Sequence, residues 1–332
     1  MTSKTLHTVA GIVISLVFLS GAFYKVRLTE LWAALREINP IALLLCLLFF
    51  GISCVFRALM WQVTTRALQQ VRFSLLFGGV IVGYMANNLL PVRAGELVRA
   101  YYLSARTGIP GAAVFSTVCI ERFLDLVSLG ILLAAGLFWS IRGLTPHTAG
   151  LTLTALATVL AAGALIPAGL VRLNKIQGKR GGILFRGRKR VKEFLEPVGK
   201  LRQPKTLLTL TGLSLAAWAG NYLSLLPLLR GVQNCTEAAL LLLLFINLGL
   251  LIPSSPGALG VMQVAFWAAL APFGIAKEQS LALSLAYQGG LYLFTLAVGL
   301  PYAARVPVRL AKMAESQPLA GAEPAKTGNR KQ

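Results

Sequence analysis

The sequence predicts an all-α integral membrane protein, a polytopic helical bundle with about six full spans and two broken, re-entrant helical hairpins. Three observations predict this fold class. Apolar residues make up 56% of the 332 residues and charged residues only 13%, whereas a soluble domain carries about 25% charged residues. The apolar residues are grouped in segments of about 20, the length that crosses a hydrocarbon core about 30 Å thick. Two further apolar segments are interrupted by Pro, Gly, Asn or Ser.

Six segments are long enough to be full spans. In chain order they are 8–24, 40–62, 113–139, 149–171, 206–229 and 280–304. We expect the first to be an uncleaved helix, because the rest of the chain is itself apolar and needs no separate export signal. A cleaved signal peptide that ends near Ser20-Gly21-Ala22 is the alternative. Arg57 lies close enough to the predicted end of the second span to snorkel toward the interface.

Residues 25–39 are amphipathic and are predicted to lie along the membrane interface. Leu28, Leu31, Trp32 and Leu35 recur at helical spacing and share one face. An apolar face of this kind, flanked by charged residues, is typical of a helix that lies in the headgroup region.

Two apolar segments each stop at a bend and resume as a second short helix. Residues 73–90 stop at Pro91, and residues 237–252 stop at the Pro/Ser/Gly-rich run 253–260, after which 261–273 is apolar again. Irregular backbone in a bilayer is tolerated only where protein or a water-filled cavity surrounds it. A matched pair of interrupted segments, one in each half, indicates a transporter's substrate site. The residues expected to shape the two bends are Pro91, Gly95, Pro253, Ser255, Pro256, Gly257 and Gly260.

The charge distribution predicts the orientation and the domain organisation. The chain has 32 basic and 11 acidic residues, a net charge of +21. Residues 172–205 contain 12 Lys or Arg and two Glu, and 305–332 contain six basic and two acidic residues. The positive-inside rule places the N-terminus, this loop and the tail in the cytoplasm, with the first hairpin opening inward and the second outward. We expect one membrane domain over 1–304, with two halves, 1–171 and 206–304, and a disordered tail over 305–332.

Several functional classes lack support in the sequence. No aromatic-rich basic face or nucleic-acid module accompanies the positive charge, so the expected partners are membrane lipids, anionic ones included, and not nucleic acid. The four cysteines form no CxxC, and His7 and His147 are far apart, so no metal site and no cofactor are expected. A P-loop and a nucleophile–His pairing are also missing, so no catalytic residue is assigned.

Three carboxylates are placed unusually. Glu96 follows the first bend, and Glu121 and Asp125 lie inside the apolar span 113–139, whereas the other acidic residues lie in loops, tails, the interface or helix starts. Asp125 is the only aspartate. It is four residues after Glu121, so the two share one helical face, and it is three residues after Arg122, which can pair with it. A charge at the bilayer centre costs about 2.5–3.5 kcal/mol and usually marks an ion or substrate pathway. A buried Arg–Asp pair that only joins two helices is the alternative.

The first bend carries the residue types that bind phosphate. Arg93, Glu96 and Arg99 recur at spacing three just after the bend, and Asn88 precedes it. The guanidinium fork of Arg bonds phosphate through two N–H groups, and a helix that begins inside the membrane presents free N–H groups to an anion. A salt-bridged helical turn at the headgroup level is the alternative.

With these motifs the sequence resembles the lysylphosphatidylglycerol synthase transmembrane-region family, also described as the flippase-like domain family. The resemblance covers about residues 8–304. It is carried by Asn88-Leu89-Leu90-Pro91-x-Arg93-x-Gly95-Glu96-x-x-Arg99, Glu121-Arg122-x-x-Asp125 and Pro253-x-Ser255-Pro256-Gly257-x-x-Gly260-Val261. The family usually has a further Gly, and then Arg-Glu, where this chain has Ala258 and Met262-Gln263. If that Glu has a role in relatives, the role is absent or altered here.

The resemblance implies the handling or flipping of charged phospholipids, polyprenyl-linked sugars or hopanoid-type lipids in a cell membrane. Some members of the family also carry a soluble aminoacyl-transfer domain. The resemblance implies that this chain corresponds to the translocating membrane part of such proteins, without that domain. The substrate-binding and translocation residues are then expected to be Asn88, Arg93, Glu96, Arg99, Glu121, Arg122 and Asp125. A membrane-embedded lipid-modifying transferase, or the membrane partner of a lipid-synthesising enzyme, remains the alternative, and a homo-oligomer is left open.

Overall fold

The computed structural model describes residues 18–90, 94–140, 203–250 and 256–305, except for the side chains of 133–140 and 256. The start of the first predicted span, the whole span 149–171, nearly all of the basic loop and the tail beyond 305 lie outside the described residues. Pro91, Arg93, Pro253 and Ser255 also lie outside them. The described ranges contain helices, turns and short connections and no β-strand, as the sequence predicts.

Each predicted segment within these ranges coincides with a helix. The α-helices are α1 (Leu28–Arg36), α2 (Pro40–Thr65), α3 (Phe73–Leu89), α4 (Gly95–Thr107), α5 (Gly111–Ser140), α6 (Pro204–Leu225), α7 (Cys235–Gly249), α8 (Val261–Leu270) and α9 (Lys277–Ala303). Short 3₁₀ turns occupy Leu226–Leu229, Pro256–Ala258 and Ala271–Phe273. Pro is the first residue of α2 and α6, where its missing N–H has no intrahelical partner to lose.

Three described helices are long and apolar enough to cross a membrane: Pro40–Thr65, Pro204–Leu229 and Lys277–Ala303. The outer face of α2 is apolar and exposed from Ile41 to Val55, where large side chains form a row at helical spacing: Ile41, Leu44, Leu48, Ile52 and Val55. A continuous exposed apolar stripe of this kind is unfavourable in water and is expected against acyl chains. The fold is therefore that of a membrane protein.

Helices α2 and α6 cross the bundle in opposite directions and pack closely. A Cβ atom on Gly220 would lie 3.1 Å from the Cβ of Ser53, and the Ser53 hydroxyl donates to the carbonyl of Ala217 over 2.8 Å. Small residues and interhelical hydrogen bonds are what hold helices together in lipid. Because α2 and α6 are antiparallel, their C-terminal ends lie on opposite sides of the bundle.

The first broken segment is a tight helical hairpin that enters from the side where α2 ends. Helix α3 has 17 residues, about 26 Å, which is too short for a full crossing. Helix α4 packs back against it at two glycines, since a Cβ on Gly95 would lie 2.2 Å from the carbonyl oxygen of Gly83. The side chain of Asn87 accepts from the Gly95 N–H over 2.7 Å and so caps the helix that follows the bend.

The second broken segment enters from the other side, where α6 ends. Helices α7 and α8 have 15 and 10 residues, and they pack at Gly249, whose Cβ would lie 3.0 Å from the side chain of Val261. Gly257 and Gly260, which were expected to shape this bend, both have positive φ, 71° and 83°. The two hairpins therefore open to opposite sides, as predicted, although which side is cytoplasmic remains a prediction.

Ala258 lies in the left-handed region with φ of 56°, at a position where the resembled family usually has Gly. A Cβ makes this conformation unfavourable by about 1–2 kcal/mol, and part of that cost is offset by the smaller backbone entropy of Ala in the unfolded chain. We expect Ala258→Gly to raise the free energy of unfolding by about 0.5–1 kcal/mol. A thermal unfolding curve in detergent checks this, and a lower unfolding temperature for the variant would contradict it.

Buried apolar residues form two principal clusters. One consists of residues of the first half, from α2 to α5, around Trp61 and Leu76. The other consists mainly of residues of the second half, from α6 to α9, around Leu242 and Phe266, and it also includes Cys46 of α2 and Leu129 of α5. Helix α9 contacts both clusters. The site described below lies where the two halves meet.

Candidate functional site

A cavity of about 460 Å³ lies between the two halves, and both bends reach it. Asn87 and Asn88 of the first bend line it, and so do Gly257 and Ala258 of the second. The sequence pattern predicted that two interrupted helices would meet at one site. The structure brings them together around one cavity.

Helix α9 connects the two bends through side-chain hydrogen bonds. Asn88 donates to the Thr295 hydroxyl over 2.9 Å. One turn earlier on α9, the Tyr292 hydroxyl donates to the carbonyl of Gly257 over 2.6 Å, and the Gln288 amide also donates to that carbonyl. These two donors satisfy the Gly257 carbonyl at the bend, where the backbone departs from helical geometry.

Gln263 completes this hydrogen-bonded chain. Its side-chain oxygen accepts from the Gly260 N–H over 2.7 Å, and its amide donates to the side chain of Gln288 over 2.8 Å. Gln263 is fully buried. An ionised Glu at this position could accept but not donate, so in this chain the position acts as a neutral link that holds the second bend.

Asp125 is the centre of the ionic part of the cavity. Its Oδ2 atom lies 2.7 Å from Nη1 of Arg57 and 3.1 Å from Nη2 of Arg122. Its Oδ1 atom accepts from the Ser214 hydroxyl over 3.0 Å. Asp125 is 4% exposed. The carboxylate therefore joins α2, α5 and α6 and holds two guanidinium groups beside the cavity.

The expectation that Arg57 snorkels to the interface is wrong. The residue is 4% exposed and is eight residues from the end of α2, about 12 Å along the helix axis. Its guanidinium instead lies over the ring of Trp218, 5.3 Å from the centroid. The pairing of Arg57 with Asp125 across 68 residues of sequence removes the need to reach water.

Arg99 and Glu121 form a second ion pair that does not line the cavity. Nη2 of Arg99 lies 2.7 Å from Oε2 of Glu121, and the guanidinium stacks on Trp61 with 3.8 Å to the ring centroid. Thr64 donates to the other oxygen of Glu121 over 3.3 Å. Both charged groups are buried, and the pair packs α4 against α5 and α2.

The sequence-predicted residues thus divide into two groups. Asn88, Glu96, Arg122 and Asp125 line the cavity, whereas Arg99 and Glu121 pair with each other behind it. Among the bend residues, Gly95 and Gly260 shape the two hairpins, Gly257 lines the cavity, and Pro256 begins the 3₁₀ turn. Arg93, Pro91, Pro253 and Ser255 lie outside the described residues.

Sequence reasoning missed several polar residues of the cavity. They are Arg57, Tyr84, Asn87, Trp218, Asn221, Asn247 and Tyr287. Their signal was present but weak, because each is a single polar or aromatic residue in an otherwise apolar helix, a pattern that also arises from simple interhelical hydrogen bonds. The carboxamides supply donors and acceptors, and the guanidinium groups supply positive charge.

The ionic centre lies within the helices that form it, away from their ends. Arg57, Asp125 and Ser214 are each well inside helices of 26, 30 and 22 residues. No group of three His, Cys, Asp or Glu residues that could hold a metal ion occurs in the part of the chain that the structure describes. The arrangement can bind a polar, charged group deep in the bilayer, and its other lining residues, including Leu129, Leu243 and Ile246, are apolar.

The fold and the site define a polytopic membrane protein with a polar cavity built between two broken helical hairpins. The chain belongs to the family of the lysylphosphatidylglycerol synthase TM region, whose profile matches residues 8–299. The resemblance inferred from the three motifs is therefore confirmed.

Curated relatives match shorter parts of the chain. It is 26% identical over 162 residues to the glycosyltransferase AglD of Haloferax volcanii. The matched region is 48% of this chain and 25% of that protein. The chain is 31% identical over 128 residues to a UPF0104 membrane protein of Methanocaldococcus jannaschii, 38% of each chain. A UPF0104 membrane protein of Methanothermobacter thermautotrophicus is 34% identical over 117 residues, 34% of this chain and 35% of that protein. The matches thus span well under half of each relative.

Proposed function

We propose that this protein translocates an anionic lipid, or a polar group that is linked to a lipid, across the membrane. The polar headgroup passes through the cavity between the two hairpins. The observation that carries the proposal is the ionic centre of Arg57, Asp125 and Arg122, which lies inside the helical bundle on the wall of a cavity that both bends reach. Charges inside a bundle normally mark a pathway, since they are costly without a function.

The charge and exposure of the two arginines support an anionic headgroup. Arg57 is buried against Asp125, but the side chain of Arg122 is 37% exposed on the cavity side of the bundle. A guanidinium with unused N–H groups is suited to a phosphate. Glu96 and the carboxamides of Asn88 and Asn247 offer further partners for polar groups of the lipid.

The hairpins suggest how the headgroup gains access from two sides. They enter from opposite faces of the membrane, and neither α3 nor α7 is long enough to cross it. Short movements of either hairpin would open the cavity on one side while the other side stays closed, as in transporters that rock around a midplane site. The apolar residues of the wall allow acyl chains to remain in lipid as the headgroup crosses.

A second candidate function has one specific observation in its favour. The similarity to a quarter of a glycosyltransferase suggests a membrane unit that delivers a lipid-linked substrate to a transferase. In that case purified protein alone would bind the lipid without moving it faster between leaflets.

The test is the rate at which a fluorescent phosphatidylglycerol moves between leaflets of proteoliposomes, measured by chemical quenching of the outer leaflet. We expect purified protein to accelerate the exchange over protein-free vesicles, and Arg122→Met to lower this gain by about tenfold or more, because a charge-assisted hydrogen bond contributes about 1.5–3 kcal/mol. Equal rates with and without protein would contradict translocation. A covalently altered lipid would indicate a transferase instead.

A further inference from the structure

Three residues on the cavity wall carry buried N–H groups that have no acceptor. They are Nε of Arg57, Nε of Arg122 and the indole Nε1 of Trp218. Elsewhere in the described ranges the remaining buried side-chain atoms without a hydrogen bond are Ser128 Oγ and two atoms of Arg99, and Nη2 of Arg99 still faces Glu121. Three of these six atoms therefore belong to the two arginines that pair with Asp125 and to the indole that lies against one of them.

An unsatisfied buried donor is costly, so a structure that keeps several together requires an explanation. Asp125 already accepts from Arg57 and Ser214 and pairs with Arg122, so only about one of its roughly four lone-pair positions is left for these three donors. A buried Trp normally finds a partner for its N–H. Trp61 does so, since its N–H donates to Thr117 over 2.9 Å, whereas Trp218, 6% exposed, does not.

We propose that the indole of Trp218 and the guanidinium groups of Arg57 and Arg122 form a donor pocket for the phosphodiester of a lipid headgroup. This inference rests on the proposed function and assigns the chemistry of its binding site. Two guanidinium groups and one carboxylate leave one positive charge, which matches the single negative charge of a phosphodiester. Glu96 also lines the cavity and, like Arg122, is partly buried, but it is in none of the ion pairs found among the described residues.

In this pocket Asp125 is a positioning residue. Its contacts to both arginines fix their planes, and Arg57 in turn lies on the face of Trp218. The donors are thus held in place before the ligand arrives, which limits the ordering cost of binding. A phosphate oxygen that enters with a small rotation of these side chains would accept from groups that otherwise have no partner.

Two tryptophans provide a matched test. Trp218→Phe removes an N–H without an acceptor and keeps a ring for Arg57, whereas Trp61→Phe removes an N–H that is already bonded. The full chain in maltoside micelles is titrated with dihexanoyl phosphatidylglycerol by calorimetry, with dihexanoylglycerol and inorganic phosphate as further probes. We expect Trp218→Phe to weaken lipid binding by about tenfold with an unchanged or higher unfolding temperature. Trp61→Phe should lower the unfolding temperature and leave binding unchanged.

Equal affinity of Trp218→Phe and the natural protein, or an equal loss in both variants, would overturn the donor pocket. Binding of dihexanoylglycerol as tight as that of the phospholipid would overturn it too. If inorganic phosphate bound as tightly and with the same dependence on Trp218, a lipid as the source of the phosphate would be wrong. If Trp218→Phe weakened lipid binding but the natural protein did not accelerate translocation in vesicles, the proposed function alone would be rejected. If the natural protein accelerated translocation but Trp218→Phe bound the lipid with unaltered affinity, the donor pocket alone would be rejected.

Discussion

Asp125→Asn is expected to abolish the protein's acceleration of lipid translocation and to lower its free energy of unfolding by about 3–5 kcal/mol. The substitution keeps the shape of the side chain but removes the charge that compensates Arg57 and Arg122. Arg57 would then be a buried cation without a counter-ion, which is the costly state of a broken pair. The leaflet-exchange rate per folded molecule and the unfolding temperature in detergent measure the two effects.

Glu121→Gln is the matched control, one helical turn away. It also breaks a buried ion pair, with Arg99, so its unfolding temperature should fall by a similar amount. Because that pair does not line the cavity, translocation per folded molecule should persist. A second variant, Arg57→Met with Asp125→Leu, removes the pair together, which is often neutral for stability. Translocation that survives in this double variant would show that the ionic centre is structural only.

Gly257→Ala is expected to destabilise the second bend by about 4 kcal/mol or more and to prevent translocation. Gly257 has φ of 71°, and a Cβ would lie 1.5 Å from the Tyr292 hydroxyl oxygen. Tyr292 cannot move away without releasing the Gly257 carbonyl that it bonds. The unfolding temperature in detergent and the leaflet-exchange rate measure the effect.

Gly274→Ala separates the cost of the left-handed backbone from the cost of the contact with Tyr292. Gly274 has nearly the same φ, 73°, but no heavy atom lies within 4 Å of the position of its Cβ. The free energy of unfolding of this control should therefore fall by only about 1–2 kcal/mol, the cost of the left-handed backbone. An equal loss in the two variants would mean that the contact between the second bend and α9 contributes nothing.

The helices and the two broken hairpins could be predicted from the sequence, because they depend on local properties of the chain. Segment length and the interruptions at Pro, Gly and Asn determine where a helix in lipid must stop. The same reasoning identified Gly257 and Gly260 as bend residues, and both have positive φ. The orientation of the termini stays a prediction, since it depends on charge relative to a membrane.

The partners of the charges could only partly be predicted. The contact between Arg122 and Asp125 is local, three residues apart on one helix, and the structure confirms it at 3.1 Å. The pairing of Arg57 with Asp125 depends on how α2 and α5 pack, which helical spacing alone does not determine. The same holds for Trp218, which is on α6 and meets Arg57 across the bundle.

The sequence places Glu121 and Asp125 on one face of a helix, and this did not predict that the two carboxylates have different environments. Residues four apart on a helix differ by about 40° in direction and about 6 Å in height. That difference is enough for Asp125 to line the cavity while Glu121 faces Arg99 behind it. Which of the two carboxylates faces the cavity depends on the rotation of α5 within the bundle, and this is a property of tertiary packing.

The central claim is that a water-accessible cavity lies between the hairpins at mid-membrane depth. Cysteines introduced at two neighbouring positions of α5 test it most directly. Leu126 lines the cavity, whereas Val127 is exposed on another face of the helix at almost the same depth. Each is replaced by Cys in a variant that lacks the four natural cysteines, in proteoliposomes. Because thiols react as thiolates and need water, a charged, membrane-impermeant thiol reagent should label Leu126→Cys at least about tenfold faster than Val127→Cys. Equally slow labelling of both positions, or faster labelling at position 127, would contradict the cavity and the translocation pathway built on it.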